Sequence, residues 1–224
     1  MSIDYHHWEK TLRNSVAAFD IDLTDQQIGQ FYIHAEELQR WTRKTNLTAI
    51  KDADEIAAKH FIDSIVPSVY FDPMHDVLDI GSGGGFPGLP LKVLYPHIQL
   101  TLIDAVRKKT SFLKHVVRSM RIEDTQVVHG RIEEIGLRYK MTLWDSIVSR
   151  AYSSVSVILE NALPLLSPGG QILIWKGPSP EEEIRAAQDV IARQRRLLTL
   201  RVRSYFLPEI AAQRTLVAIK AIDI

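Results

Sequence analysis

The segment Asp79-Ile80-Gly81-Ser82-Gly83-Gly84-Gly85-Phe86-Pro87-Gly88 constrains this chain more than any other. It follows a short apolar run, His75–Ile80 (HDVLDI), and precedes a helical stretch, Gly88–Tyr95. Glycine admits positive φ and lets a ligand come close to the main chain. At the carboxyl end of a parallel strand, such a loop is where open α/β sheets bind ligands. The plain alternative is a tight turn, which does not need five glycines between positions 81 and 88.

The rest of the chain fits a parallel sheet. Ile98–Asp104 (IQLTLID), Thr125–Gly130 (TQVVHG), Trp144–Arg150 (WDSIVSR) and Gly170–Gly177 (GQILIWKG) read as strands. Val106–Met120, Ser153–Leu165 and Pro180–Arg195 read as helices between or after them. Strands alternating with helices imply βαβ units covered on both faces. Beyond Arg196, LLTLRVRSYFLP and RTLVAIKAI read as two more strands. No helix-length segment separates them, so they are expected to pair as an antiparallel hairpin. The first 70 residues differ in kind and read as helical. Thr24 and Gln27 have capping-box spacing. Ile28, Phe31, Ala35, Leu38 and Trp41 then form one apolar stripe. Helical signals continue through Ala53–His60 and Asp63–Tyr70, and Pro73 closes the region. The expected organisation is a helical extension, residues 1–72, packed on a core domain, residues 73–224.

Composition excludes several classes. Of 224 residues, 46% are hydrophobic and 24% charged, so a disordered or fibrous chain is ruled out. The absence of cysteine excludes disulfides, Cys-ligated zinc and thiol catalysis. The start, Met1–Lys10, lacks the apolar core of a signal peptide. No apolar run reaches the roughly 18 residues that span a bilayer, so a cytoplasmic protein without membrane association is expected. The 27 basic and 27 acidic residues cancel. They are nonetheless segregated: residues 105–122 carry Arg107, Lys108, Lys109, Lys114, Arg118 and Arg121 with no acid. A second basic block, residues 184–206, has only Asp189 against six arginines. Such blocks are either polyanion-facing surfaces or solvated helix faces.

The glycine spacing discriminates between ligands. A dinucleotide fingerprint wants glycine at its first, third and sixth positions, and here the sixth is Phe86. No Lys-Ser/Thr follows, so this is not a P-loop. Asp104, 19 residues after Gly85, ends the second strand and is placed to accept hydrogen bonds from ribose hydroxyls. Gly81, Gly83 and Gly85 with that acid suit S-adenosylmethionine better than a dinucleotide. The eight histidines show no metal-ligand spacing, and His34 has no partner at i+4, so no metal is expected.

The string LDIGSGGGFPGLPL resembles motif I of class I methyltransferases. With Asn46-Leu47-Thr48, His60-Phe61-Ile62-Asp63-Ser64 and Ser149-Arg150-Ala151, the chain resembles the bacterial 16S ribosomal RNA guanine-N7 methyltransferases, the RsmG or GidB family, over about residues 20–220. The resemblance implies a Rossmann-like α/β fold with a seven-stranded, mostly parallel sheet, helices on both faces and an N-terminal helical extension. It implies methyl transfer from S-adenosylmethionine to N7 of one guanine in 16S rRNA, free or in the small subunit, by a protein expected to be monomeric. Carried onto this sequence, the cofactor contacts are Gly81, Phe86, Ile132, Glu133 and Arg150, with Asp104 at the ribose position. On the residues alone, Ile132 and Glu133 read as first-turn helix residues. Arg150 reads as an active-site cation, a positioning candidate for catalysis, or as a salt-bridge partner; its place at a strand's carboxyl end favours the site.

Guanine N7 carries an in-plane lone pair and no proton, so alignment and the local field suffice and no general base is needed. Its edge is closed off in an A-form duplex, so the target base must lie in a loop or be splayed out. Arg43, Lys44, Arg107, Lys108 and Lys109, with Arg40, are candidates for holding RNA phosphates. Trp41, Tyr152 and Trp175 are candidates for base stacking, although burial is the commoner role of such residues. Two other readings remain open: a methyltransferase acting on a small molecule or protein, and a non-catalytic ribosome-binding protein that keeps the fold.

Overall fold

The structure is a computed structural model that describes residues 3–45, 47–50, 52–134 and 142–222. Seven strands form one sheet: β1 Asp76–Ile80, β2 Gln99–Asp104, β3 Thr125–His129, β4 Trp144–Arg150, β5 Leu166–Lys176, β6 Leu198–Leu207 and β7 Ala212–Ala221. Their order is β3-β2-β1-β4-β5-β7-β6. The first five run parallel, whereas β7 lies antiparallel to both β5 and β6. β6 and β7 pair from Leu198↔Ala221 to Leu207↔Ala212, the hairpin expected from their short connection.

The alternation of each strand sorts side chains into two cores. Val77, Leu100, Leu102, Val148, Leu173 and Trp175 join one buried cluster with Trp8, Phe31, Phe61 and Phe112. Leu78, Ile80, Ile103, Ile147, Ile172 and Ile174 join the other. The first face is covered by α1 Tyr5–Ala17, α2 Asp25–Thr45, α5 Gly88–Leu94 and α6 Arg107–Ser119. The second is covered by α7 Val155–Ala162 and α8 Glu181–Ala192. The N-terminal helices thus share one hydrophobic core with the helices of the sheet rather than building their own. The capping box holds: the Gln27 amide donates to Thr24 Oγ1 and the Thr24 amide to Gln27 Oε1.

Two expectations change in detail. The helical signals over residues 53–70 resolve into α3 Ala53–Ile56, a π-helical turn Ala57–Ile62, α4 Asp63–Ile65 and a 3₁₀ turn Val66–Tyr70. Pro67, which has no amide hydrogen to donate, sits in that last turn, where the α pattern gives way. β5 begins at Leu166 rather than Gly170, because Leu166 pairs with Trp144 across a register irregularity and Gly169 takes φ +67°. Among the described residues no helix is long and apolar enough to cross a membrane.

Candidate active site

The strand order reverses at β1, which has β2 on one side and β4 on the other. Ile80 pairs with Ser149, so Gly81 and Arg150 leave the sheet side by side, at the position where such sheets open a crevice. The amides of Gly81 and Ser82 both donate to the Ile103 carbonyl, at 2.9 and 3.0 Å, folding the loop over the end of β2. The Gly83 amide donates to Asp104 Oδ2 at 3.0 Å, and the Val106 amide to Oδ1 at 2.8 Å. Asp104 is therefore fastened to the loop, and Lys109 Nζ lies 3.6 Å from it. Gly81, Gly83 and Gly85 all take positive φ, as the loop requires.

Two crevices meet at Gly81, Lys109 and Ala151. The first is lined by Asp104, Val106, Gly130, Ile132 and Tyr152. The second is lined by Leu47, Thr48, His60, Gly83, Phe86 and Arg150. They hold about 210 and 160 Å³, which together fits a two-part ligand of ordinary size, for which pockets run roughly 300–1,000 Å³. A third opening shares His60, Arg150 and Ala151 with the second, and Lys59, Lys176 and Arg214 also line it.

The sequence motifs converge behind the second crevice. Phe86 is only 4% exposed. Its ring is stacked between His34, with centroids 4.6 Å apart, and His60, 4.8 Å apart, while Phe61 meets it edge-on. Both faces of Phe86 are thus taken, and it offers a ligand only its edge. The Arg150 guanidinium carbon lies 5.1 Å from the same ring centroid. Arg150 Nη1 donates to the Lys59 carbonyl at 2.9 Å and to Asp63 Oδ2 at 3.2 Å; Nη2 lies 2.9 Å from His60 Nδ1. Asp63 Oδ1 accepts from the Tyr205 hydroxyl at 2.8 Å, and its carbonyl accepts from Trp175 Nε1. Burial pushes the guanidinium's pKa down and Asp63 opposes it, whereas the Tyr205 phenol is pushed up by burial and by Asp63.

Each residue singled out from sequence now has a place. Gly81, Gly83, Asp104, Ile132 and Arg150 line the paired crevices. Gly85 sits one step behind, where a Cβ would come 2.5 Å from Leu89 Cδ1. Glu133 is exposed beside Ile132. Arg150 holds an ion pair with Asp63, the salt-bridge reading, and also lines the second crevice. Asn46 lies outside the described residues. Trp175 is 2% exposed and bonded to Asp63, so it is a core residue and not a stacking platform. Trp41 packs against Phe112 and His115, while Tyr152 is 38% exposed and remains on the crevice wall. Lys109 turns to Asp104, which makes it part of the cleft as well as of the basic block.

The basic candidates gather at one end. α2 and α6 run antiparallel, since Gln30 bonds the Met120 carbonyl, Glu37 bonds His115 and Trp41 meets Phe112. Arg43 and Lys44 at the end of α2 therefore fall at the same end as Arg107 and Lys108 at the start of α6, next to Asp104.

His34 carries a role the sequence did not reveal. It is fully buried, and its Nε2 donates to the Gly84 carbonyl at 2.7 Å, pinning α2 to the loop. Burial pulls its pKa down to about 4 and holds His60 well below its ordinary value, with Arg150 reinforcing the latter. Burial pushes the Asp79 carboxyl up to about 7, against the Gly88 amide that bonds its Oδ2. The folded state refuses a proton on His34 that the unfolded chain accepts below pH 6.5. Stability is therefore lost as pH falls from 6.5 to 4. Asp79 acts in the opposite sense: the folded state keeps a proton that the unfolded chain releases, and stability is lost as pH rises from 3.8 to about 7. His34→Phe keeps the stack but removes the first slope. Relative to wild type, it is expected to gain about 3 kcal/mol between pH 7 and pH 4 in urea unfolding. An unchanged difference between the two proteins at the two pH values would mean that His34 is not held neutral.

Comparison with known proteins places these features. A family model described as rRNA small subunit methyltransferase G, GidB, matches residues 27–216. The protein named ribosomal RNA small subunit methyltransferase G from Geotalea uraniireducens (strain Rf4) is 39% identical over 198 residues, covering 87% of this chain and 90% of that one. Its namesake from Macrococcus caseolyticus (strain JCSC5402) is 40% identical over 165 residues, covering 73% of this chain and 69% of that one. In fold the chain is similar to an O-methyltransferase from Bacillus cereus solved in complex with SAH, with TM-score 0.63 and 17% identity, covering 97% of this chain and all of that one.

Proposed function

Because the chain belongs to the rRNA small subunit methyltransferase G family, we propose that it transfers a methyl group from S-adenosylmethionine to N7 of a guanine in 16S rRNA. The observation that carries this reading is the Asp104 carboxylate tied to the Gly83 amide at the junction of two crevices. That arrangement fits a nucleoside with an amino-acid tail. Asp104 would hold the sugar hydroxyls and Ile132 the base, with Glu133 at its edge, and the bare backbone from Gly81 to Gly83 would carry the sulfonium end only to the mouth of the second crevice, whose Thr48 side is left to the guanine. When bound, S-adenosylmethionine supplies the sulfonium methyl.

The chain's own task is then alignment. Arg150, Phe86 and His60 form one wall of the second crevice, held from behind by Asp63 and Tyr205. Guanine N7 presents its lone pair without losing a proton, so no base is required of the wall. The opening lined by Lys59, Lys176 and Arg214 suits the phosphates of a splayed nucleotide. Arg43, Lys44, Arg107 and Lys108 suit the flanking backbone.

Incubation with 30S subunits or free 16S rRNA and labelled S-adenosylmethionine, followed by mass-spectrometric mapping, tests the reading. One N7-methylguanine in 16S rRNA is expected. Methyl incorporation elsewhere, or none with either substrate, would contradict it. Reversing charge in Arg107→Glu/Lys108→Glu should reduce the slope of log affinity against log salt by about two for rRNA. Affinity for S-adenosylhomocysteine should not change. An unaltered slope would move the phosphate contacts elsewhere.

A further inference from the structure

We infer that the Thr48 hydroxyl reads O6 of the target guanine as an obligate hydrogen-bond donor, an inference that rests on the guanine-N7 reading above. The argument is one of hydrogen-bond directions. An arginine side chain has donors only. Arg150 Nη2 lies 2.9 Å from His60 Nδ1, so Nδ1 must accept, and the ring's single proton resides on Nε2. Nε2 lies 3.1 Å from Thr48 Oγ1 and therefore donates to it. The Ile50 amide donates to the same oxygen at 3.1 Å. A hydroxyl oxygen has two lone pairs, and both are now used. The hydroxyl proton has no acceptor among the described residues, and Thr48 lines the second crevice beside Gly83, Phe86 and Arg150.

Such a hydroxyl gives a hydrogen bond and cannot receive one. On the edge that carries N7, guanine presents O6, an acceptor, where adenine presents an amino donor. Thr48 then favours guanine and leaves adenine with two donors facing each other. A site built around one required hydrogen bond discriminates strongly, because the wrong partner leaves a buried group unpaired. Arg150 has a second consequence here, since it fixes the His60 tautomer and so sets the direction of the Thr48 bond.

The test is a double-mutant cycle between protein and RNA. Wild type, Thr48→Val and Thr48→Ser are assayed on 16S rRNA with guanine, or with 2-aminopurine lacking O6, at the mapped methylation position. Wild type should lose about 10–100-fold in kcat/KM when O6 is removed. Thr48→Val should lose a similar factor on guanine and little more on 2-aminopurine, and Thr48→Ser should restore discrimination. Affinity for S-adenosylhomocysteine, read by calorimetry, should stay the same in both variants. Equal sensitivity to O6 in wild type and Thr48→Val would overturn the inference, as would parallel loss of S-adenosylhomocysteine affinity. If wild type methylates no guanine N7 at all, it is the underlying reading that fails. Methylation of guanine by wild type with no loss on 2-aminopurine would defeat the role of Thr48 alone.

Discussion

Arg150→Ala is expected to destabilise the protein by about 3–5 kcal/mol, because it removes one partner from a buried, hydrogen-bonded ion pair and leaves the other behind. Asp63 would keep Tyr205 and a distant Arg214 at 3.7 Å, but the Lys59 carbonyl and His60 Nδ1 would lose their donors. Against a typical stability of about 5–15 kcal/mol, that loss approaches unfolding. Methyl transfer should fall by at least about 100-fold even in the folded fraction, since the wall bearing His60 and Phe86 would no longer be fixed. Arg150→Lys keeps the charge but not the fork that serves Asp63 and His60 together, so it should fall between. Urea unfolding and single-turnover methylation read both effects. A variant with wild-type stability and rate would show that the cluster holds nothing in place.

Gly81→Val is expected to remove cofactor binding by more than about 100-fold, a loss of at least 3 kcal/mol. Two effects add. A Cβ at Gly81 would stand 2.5 Å from Tyr152 Cδ2 and 2.9 Å from Tyr152 Cβ, so the tyrosine must leave the crevice wall. The backbone sits at φ +72°, where a β-branched residue is strained by about 1–3 kcal/mol. Gly81→Ala/Tyr152→Gly separates them, because it removes every Tyr152 atom the new Cβ would strike but keeps the dihedral strain. Calorimetric titration with S-adenosylhomocysteine should find partial recovery in that double variant. Undiminished affinity in Gly81→Val would mean that no ligand crosses the loop there.

Local chemistry made much of this legible in sequence. The glycines and Asp104 announce themselves because a loop needing positive φ admits few residue types, and because an acid ending the next strand is read by counting. The β6–β7 hairpin followed from a missing helix. The ring stack did not follow from anything local. His34 lies on the same helical stripe as Phe31, Ala35 and Leu38, and nothing in that spacing shows that its ring bonds the carbonyl of Gly84, fifty residues away. Tyr205 reaches Asp63 across 142 positions, and no pattern in β6 marks it. His60 and Asp63 were visible only as letters of a motif; their work, aiming Arg150 and Thr48, appears once the π-helical turn brings them beneath the loop. Trp175 shows the favoured burial realised: a strand-end tryptophan fits a platform or a core by pattern alone, and its indole donates to a backbone carbonyl in the core.

The crystal structure of the protein with S-adenosylhomocysteine tests the placement of the nucleoside most directly. Density for the adenosine is expected between Gly81 and Ile132, with both sugar hydroxyls within about 2.7–3.1 Å of the Asp104 carboxylate. Density in another cleft, or a ribose turned away from Asp104, would contradict it.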